Sequence, residues 1–344
     1  MNLCSILGVE KPIIQAPMAG VQNWELAVAV SNSGGLGSIP CGMLTKDQIL
    51  AEITSFRKNS NKNYNLNFFC HKMPAINHQA LKVWEEQLLP YYESFSIKPP
   101  KEISGLRKPF DVSLADALEP YKPPIISFHF GLPSPELVAR IKSWRTVVIS
   151  SATTKEEGIW LQNNGADIVI AQGSEAGGHR GMFMTSDPST QLPTFELVEC
   201  LKQVLSVPVI AAGGIATNTD IKEVIGLGAS GVQVGTSYLL CDEAKTSVIH
   251  RKAIKSKNST TALTNIFSGR LARGITNKVM TDLNFIADNA PEFPYASIAI
   301  APLRTKAESQ NKSDFSPLWS GTDRSGCKEI SAAKLTNELW DNDI

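Results

Sequence analysis

The sequence predicts an α/β protein: a (β/α)8 TIM barrel with an insertion after strand 3 and a helical C-terminal extension. Three observations point there. Short runs rich in β-branched residues recur along the 344 residues. Most are apolar throughout, as suits parallel strands covered on both faces by helices. Most of the stretches between them are long enough for one helix and two loops, and strand–helix alternation over eight strands fits a closed barrel better than an open sheet.

The predicted strands are Pro12–Ala16, Leu36–Ile39, Tyr64–Phe69, Ile125–Phe128, Thr146–Ser150, Ile168–Gln172, Val209–Ala212 and Gly231–Val234. Between the first two, Trp24–Val30 reads as a helix ended by Ser33-Gly34-Gly35. Between the fifth and sixth, Thr153-Thr154-Lys155-Glu156-Glu157 is a helix-start signature running on to Asn164-Gly165. Asn218–Leu227 forms the helix before strand eight, closed by Gly228. Residues 74–124 break the rhythm with Pro90, Pro99, Pro100, Pro120, Pro123 and Pro124 and a helix around Ala80–Leu89. Residues after about 245 read as helical, with a proline break at Pro291–Pro294. The expected division is a barrel over 1–245 and a helical extension over 246–344 covering its mouth, with a small helical subdomain as the alternative.

Composition narrows the function classes. Hydrophobic residues at 42% and charged residues at 19% are ordinary for a globular chain. Lys+Arg and Asp+Glu both number 33, so the net charge of zero offers no general attraction to nucleic acid or an anionic membrane. Met1–Ser5 carries no basic segment or apolar run, and no apolar stretch reaches the ~18 residues that span a bilayer. A cytoplasmic protein is expected. The six cysteines are scattered without a C-x-x-C pair, which argues against a zinc site or a disulfide framework.

Barrel chemistry sits at the C-terminal ends of the strands. Pro17-Met18-Ala19-Gly20 follows strand one, Asn67 lies in strand three, and Gln172-Gly173-Ser174-Glu175-Ala176-Gly177-Gly178-His179-Arg180-Gly181 follows strand six. Gly213-Gly214 and Gly235-Thr236 follow strands seven and eight. Paired glycines before a helix N-terminus cradle phosphate, because exposed N–H groups and the helix dipole both favour negative charge. Many barrels hold a phosphate between these two loops, so Gly213, Gly214, Gly235 and Thr236 are read as a phosphate site; the bland alternative is two tight turns.

His179 is the candidate general base, since histidine titrates near neutrality; a packing histidine is the alternative. His129, at the end of strand four, either lines the site or braces the rim. Asn67 and Gln172 offer donor and acceptor together, matching the edge of a flavin ring, or else bond loop backbone. Glu175 is read as structuring its loop or as an exposed residue, and Met18 as packing.

Several motifs together carry a family resemblance. PIIQAPMAG (12–20), SNSGGLGSI (31–39), NLNFF (65–69), SFHFGLP (127–133), AQGSEAGGHRG (171–181), PVIAAGGI (208–215), GVQVGTSYL (231–239), FSGRLARG (267–274) and LWSGT (318–322) resemble nitronate monooxygenase, over nearly the whole chain. The resemblance implies FMN, its phosphate held by Gly213 and Gly214 with Gln233, Val234, Gly235 and Thr236. It implies ring contacts from Asn67, Gln172 and Pro17, Met18, Ala19 and Gly20, with Gly177 and Gly178 passing close. His179 matches the catalytic histidine. The implied reaction carries electrons from an alkyl nitronate, propionate-3-nitronate or a relative, by way of FMN to molecular oxygen, giving a carbonyl compound and nitrite without a metal. His179 would take the α-proton of a neutral nitroalkane or position the nitronate. A cation at the mouth would suit a carboxylated substrate, with Arg180 and Lys306 as candidates; Tyr295 is a further substrate candidate, and the stretch Tyr295–Lys306 lies outside the matching motifs. Monomer and homodimer both remain open.

The competing reading is an FMN-dependent enoyl-acyl-carrier-protein reductase using NAD(P)H, which shares the barrel and a Gly-Gly-His loop. A non-catalytic phosphate-ligand barrel and a metal-free isomerase or lyase stand further off.

Overall fold

The computed structural model describes residues 2–100, 102–103 and 105–340. The barrel strands, numbered among themselves, are β1 (Ile13–Gln15), β2 (Gly37–Pro40), β3 (Tyr64–Phe69), β4 (Ile125–His129), β5 (Val147–Ala152), β6 (Ile168–Gln172), β7 (Val209–Ala212) and β8 (Gly231–Val234). Each pairs in parallel with its neighbours, and β8 lies beside β1. The ring closes at Leu36, just before β2. Its N–H donates to Ile13 C=O at 2.8 Å, and its C=O accepts from Gln15 N–H at 2.9 Å.

The eight barrel helices are α1 (Trp24–Asn32), α2 (Lys46–Asn59), α3 (Val112–Leu118), α4 (Pro135–Ser143), α5 (Lys155–Asn163), α6 (Thr194–Lys202), α7 (Asn218–Gly226) and α8 (Ala332–Leu339). Local chemistry sets their starts. Thr45 with Gln48 and Thr217 with Asp220 form reciprocal capping boxes. Thr154 caps α5 through Glu157 N–H. The Glu157 carboxylate, fully buried, turns instead to Thr153 N–H and Oγ1 and to the N–H groups of Phe183 and Met184. It thereby ties the segment after His179 to the barrel.

Inside the ring, Ile14, Leu36, Ile125, Ile149, Ile168, Ile170 and Ile210 fill the N-terminal half, and the helix Leu3–Leu7 stoppers it with Leu3 and Leu7. Above them the interior turns polar. Asn65 Nδ2 donates to Ser38 Oγ at 3.0 Å and to Ser127 Oγ at 2.9 Å. The change from isoleucine to amide and hydroxyl marks where the barrel becomes a floor for a site.

The C-terminal region departs from the expected run of helices in two ways. First, α8 packs against α1 and α7 and buries Leu335 and Leu339 in the barrel core. It is the eighth helix of the barrel, and what precedes it is an insertion between β8 and α8. Second, that insertion contains a hairpin, Thr261–Thr264 paired antiparallel with Ala272–Ile275, whose outer partner is the strand Gly178–His179. Thr-rich, glycine-broken segments of four residues have no helical period, and their third strand comes from a loop about ninety positions away, so local pattern could not show the sheet.

The two insertions share a second core. The helix His78–Ser94 packs Trp84, Leu88 and Tyr92 against Ala296, Ala299, Ile300 and Leu303 of the helix Ala296–Ser309. Trp84 Nε1 donates to Ala296 C=O at 3.2 Å. Together they wall the C-terminal end of the barrel.

Candidate active site

A cavity opens at that end. Its floor and sides come from the loops after β1, β3, β6, β7 and β8, and its outer wall from both insertions, through Arg107, His250, Arg304 and Ser316–Gly321. Of the residues expected at the site, Pro17, Met18, Ala19, Gly20, Asn67, His129, Gln172, Gly177, Gly178, His179, Gly213, Gly214, Gln233, Gly235 and Thr236 all line it.

The glycines are used for shape. Gly213 and Gly214 have φ of +120° and +66°, a region that side chains rarely enter. A Cβ on Gly213 would stand 2.8 Å from both Ala176 N and Thr194 Oγ1. Among the described residues, the N–H groups of Gly213, Gly214 and Gly235 donate to no protein acceptor. Three unpaired N–H groups on adjacent turns at one end of a cavity form a site for an anion. Gly177 lies flat against Ser320 and Gly321, where any Cβ would collide with backbone. Gly321 N–H in turn donates to Thr236 Oγ1 at 2.9 Å. The LWSGT segment thus folds back over the glycine-lined end of the cavity.

His179 is held from several sides. Its carbonyl accepts from Gln172 Nε2 at 2.9 Å and from His129 Nε2 at 3.0 Å. Because a carbonyl can only accept, His129 carries its proton on Nε2, and Nδ1 takes the Ser151 hydroxyl at 3.2 Å. The His179 ring meets Ser268 Oγ through Nε2 at 2.8 Å, and the Ser268 hydroxyl donates to Arg270 C=O at 3.3 Å. That network assigns the His179 proton to Nε2 and leaves Nδ1 with its lone pair. Phe293 and Trp319 stand edge-on to the imidazole, each with its ring centre 5.5 Å away. Burial first, then the charge of Arg107, then His129, Arg270 and His71, hold the His179 pKa well below 6.5. The imidazole is therefore neutral near pH 7 and able to accept a proton.

The strand-end amides divide. Gln172 is committed at both ends, with Oε1 accepting from Gly181 N–H at 2.7 Å, so it shapes the His179 loop. Asn67 donates to Ser127 Oγ at 2.9 Å and keeps its carbonyl unengaged along the cavity. Glu175 structures its loop as expected, accepting from Thr194 N–H and Oγ1.

Four expected residues do not line the cavity. Val234 is buried among the barrel helices; alternation along β8 sends Gln233 inward and Val234 outward. Arg180 is 1% exposed and buckles its own loop, donating to Gly173 C=O and Gln172 C=O at 2.7 Å each and to Gln191 Oε1. Tyr295 is buried, and its hydroxyl donates to Pro74 C=O at 3.1 Å, joining the two insertions. Lys306 lies two positions beyond Arg304, which is about 200° round a helix, so Arg304 and Glu308 reach the cavity and Lys306 does not.

Residues to which the sequence reading gave no part in the site are Ser268, Arg107, Phe293, Trp319 and Arg270, along with His250, placed only in the C-terminal helices. The Arg270 guanidinium lies 3.9 Å from the Phe130 ring centre and donates to Met182 C=O. FSGRLARG stood out as a motif, but nothing in it showed that its serine meets the histidine.

Comparison with known proteins agrees with this geometry. The profile of the family described as Nitronate monooxygenase matches residues 1–342. A nitronate monooxygenase of Pseudomonas aeruginosa is 37% identical over 97% of this chain and 96% of its own length. One of Paraburkholderia phytofirmans is 36% identical over 98% and 93%. The solved structure of a nitroalkane oxidase from Streptomyces ansochromogenes superposes with a TM-score of 0.88 at 31% identity, covering 98% of this chain and 96% of that one. FabK from Thermotoga maritima shares the fold, with a TM-score of 0.74 at 23% identity. No helix among the described residues is long and apolar enough to cross a membrane. The chain belongs to the nitronate monooxygenase family of flavin-dependent oxidoreductases.

Proposed function

We propose that this protein binds FMN and oxidises alkyl nitronates, propionate-3-nitronate among them, with molecular oxygen to a carbonyl compound and nitrite. The observation that carries the reading is a neutral imidazole with an available Nδ1, in the same cavity as a nest of unpaired glycine N–H groups. Those residues fit FMN. Gly213, Gly214 and Gly235, with Thr236 and Gln233 beside them, would hold the phosphate. Pro17–Gly20, Asn67, Gly177 and Gly178 would border the ring, and Gly178, which has no atom within 4 Å of a Cβ position, leaves its space open to a planar ligand. When bound, FMN supplies the redox chemistry between substrate and oxygen.

The chain's own contribution is positioning and proton handling. His179 Nδ1 accepts the α-proton of a neutral nitroalkane, and the Nε2–H bond to Ser268 keeps that tautomer in place. Phe293, Phe130 and Trp319 exclude water from the imidazole. The paired insertions complete the wall, so we take the barrel and the material over its mouth as one catalytic unit, monomer or homodimer, working in the cytoplasm.

The test is a visible spectrum of the purified protein followed by oxygen uptake. A yellow protein that consumes oxygen on addition of ethylnitronate or propionate-3-nitronate is expected. His179→Asn should cut turnover of neutral nitroethane by about a hundred-fold or more, the scale of general-base catalysis, and affect the preformed nitronate far less. Equal losses on both substrates would remove proton abstraction from the role of His179. Anaerobic bleaching of the flavin by NADH, without oxygen uptake on nitronates, would favour the reductase reading.

A further inference from the structure

Three cations line the cavity, Lys245, Arg304 and Arg107. Lys245 is paired with Glu25 at 3.2 Å and Arg304 with Glu308 at 2.8 Å. Arg107 has no carboxylate partner among the described residues. Its guanidinium touches Met43 Sδ at 3.9 Å and stands 5.8 Å from the ring centre of Phe293. Phe293 also packs against the His179 imidazole. Arg107 is thus a half-buried guanidinium on the aromatic wall beside the reacting end of the cavity, its fork of donors met by protein only at the weak acceptor Met43 Sδ among the described residues. A charge withdrawn from water without a partner is unfavourable, and a guanidinium is built to take a carboxylate through two parallel bonds.

We propose that Arg107 anchors a carboxylate at the far end of the substrate, so that the site selects nitronates bearing a second negative charge. The proposal rests on the nitronate reading above and names the residue that sets substrate class within it. It has a second consequence. Arg107 is the strongest charge acting against protonation of His179. A carboxylate seated on the guanidinium offsets that charge, so the base gains proton affinity when a carboxylated substrate binds and stays weak with an uncharged tail.

The experiment compares Arg107→Gln and Arg107→Lys with the parent protein on propionate-3-nitronate and on ethylnitronate, which lacks the carboxylate. Arg107→Gln should raise KM for propionate-3-nitronate about ten- to a hundred-fold, the range for losing a charge-assisted pair, and leave KM for ethylnitronate within about two-fold. Arg107→Lys should recover part of the loss. Propionate should compete with ethylnitronate in the parent protein and about ten-fold less well in Arg107→Gln. Thermal melting of each variant separates this from misfolding: a folded Arg107→Gln protein with an unchanged ratio of kcat/KM between the two nitronates, and unchanged inhibition by propionate, overturns the proposal. A parent protein that consumes no oxygen with either nitronate refutes the nitronate reading instead, whatever Arg107 does.

Discussion

Lowering the pH should destabilise this fold through His250, and the size of the loss follows from where that residue sits. His250 is 4% exposed, in the first turn of the helix Val248–Lys255, and donates Nε2–H to Trp319 C=O at 3.1 Å. Burial first, and the Arg304 guanidinium second, outweigh that bond and pull its pKa from 6.5 down to about 4. Above 6.5 neither folded nor unfolded chain holds the proton, so stability is full. Below 6.5 the unfolded chain takes it up while the native one refuses, and stability falls until the native residue protonates as well near 4. Between about pH 7.5 and about pH 5 some 1.5 pH units lie inside that window, and at roughly 1.4 kcal/mol per unit this histidine contributes a loss of about 2 kcal/mol. Over 344 residues at about 2.1 cal/mol/K each, that is a Tm drop of about 3 °C. Melting the parent and His250→Gln proteins at both pH values isolates it. Glutamine can still donate to Trp319 but cannot titrate, so its Tm should fall about 3 °C less between the two pH values. Parallel lines for the two proteins would refute the reasoning.

Ser268→Ala should reduce kcat/KM for neutral nitroethane about ten-fold, the effect of about 1.4 kcal/mol, by releasing the His179 tautomer. Ethylnitronate turnover should barely change, and the pH profile with nitroethane should move; an unmoved profile would make Ser268 a packing residue. Gly213→Ala forces a Cβ into 2.8 Å contacts at φ +120° and shifts the N–H cradle. Its FMN dissociation constant, followed by flavin fluorescence on titration, should rise at least about ten-fold, whereas unchanged binding would place the phosphate elsewhere.

The barrel was legible because its signals are local. Apolar runs such as Ile168–Gln172 and turns such as Gly213-Gly214 announce strand, turn and anion cradle within a few residues, and all eight strands appear within one or two positions of where the pattern puts them. The cavity's outer wall was not legible for the same reason. Ser268 reaches His179 only because a hairpin pairs with the strand Gly178–His179, and Arg107 comes from a proline-rich insertion with no period to read. The cations chosen from sequence failed on orientation. Arg180 adjoins His179 in the chain yet turns back to hold Gly173 and Gln172. Lys306 lies on the right helix but the wrong side of it, and nothing in one sequence shows which side is covered before its partner is known.

The position of α8 bears on how this protein comes to be folded. The apolar seam between α1 and α7 is covered by Ala332–Leu339, which joins the barrel at Leu335 and Leu339 and through the Tyr238 hydroxyl to Thr336 Oγ1 at 2.8 Å. No nascent chain that stops short of this helix can complete its coat of helices, so during synthesis the seam stays bare while everything over the mouth is being made. The interval is a window for chaperones, and also for aggregation, and it makes this helix a latch on the barrel's coat.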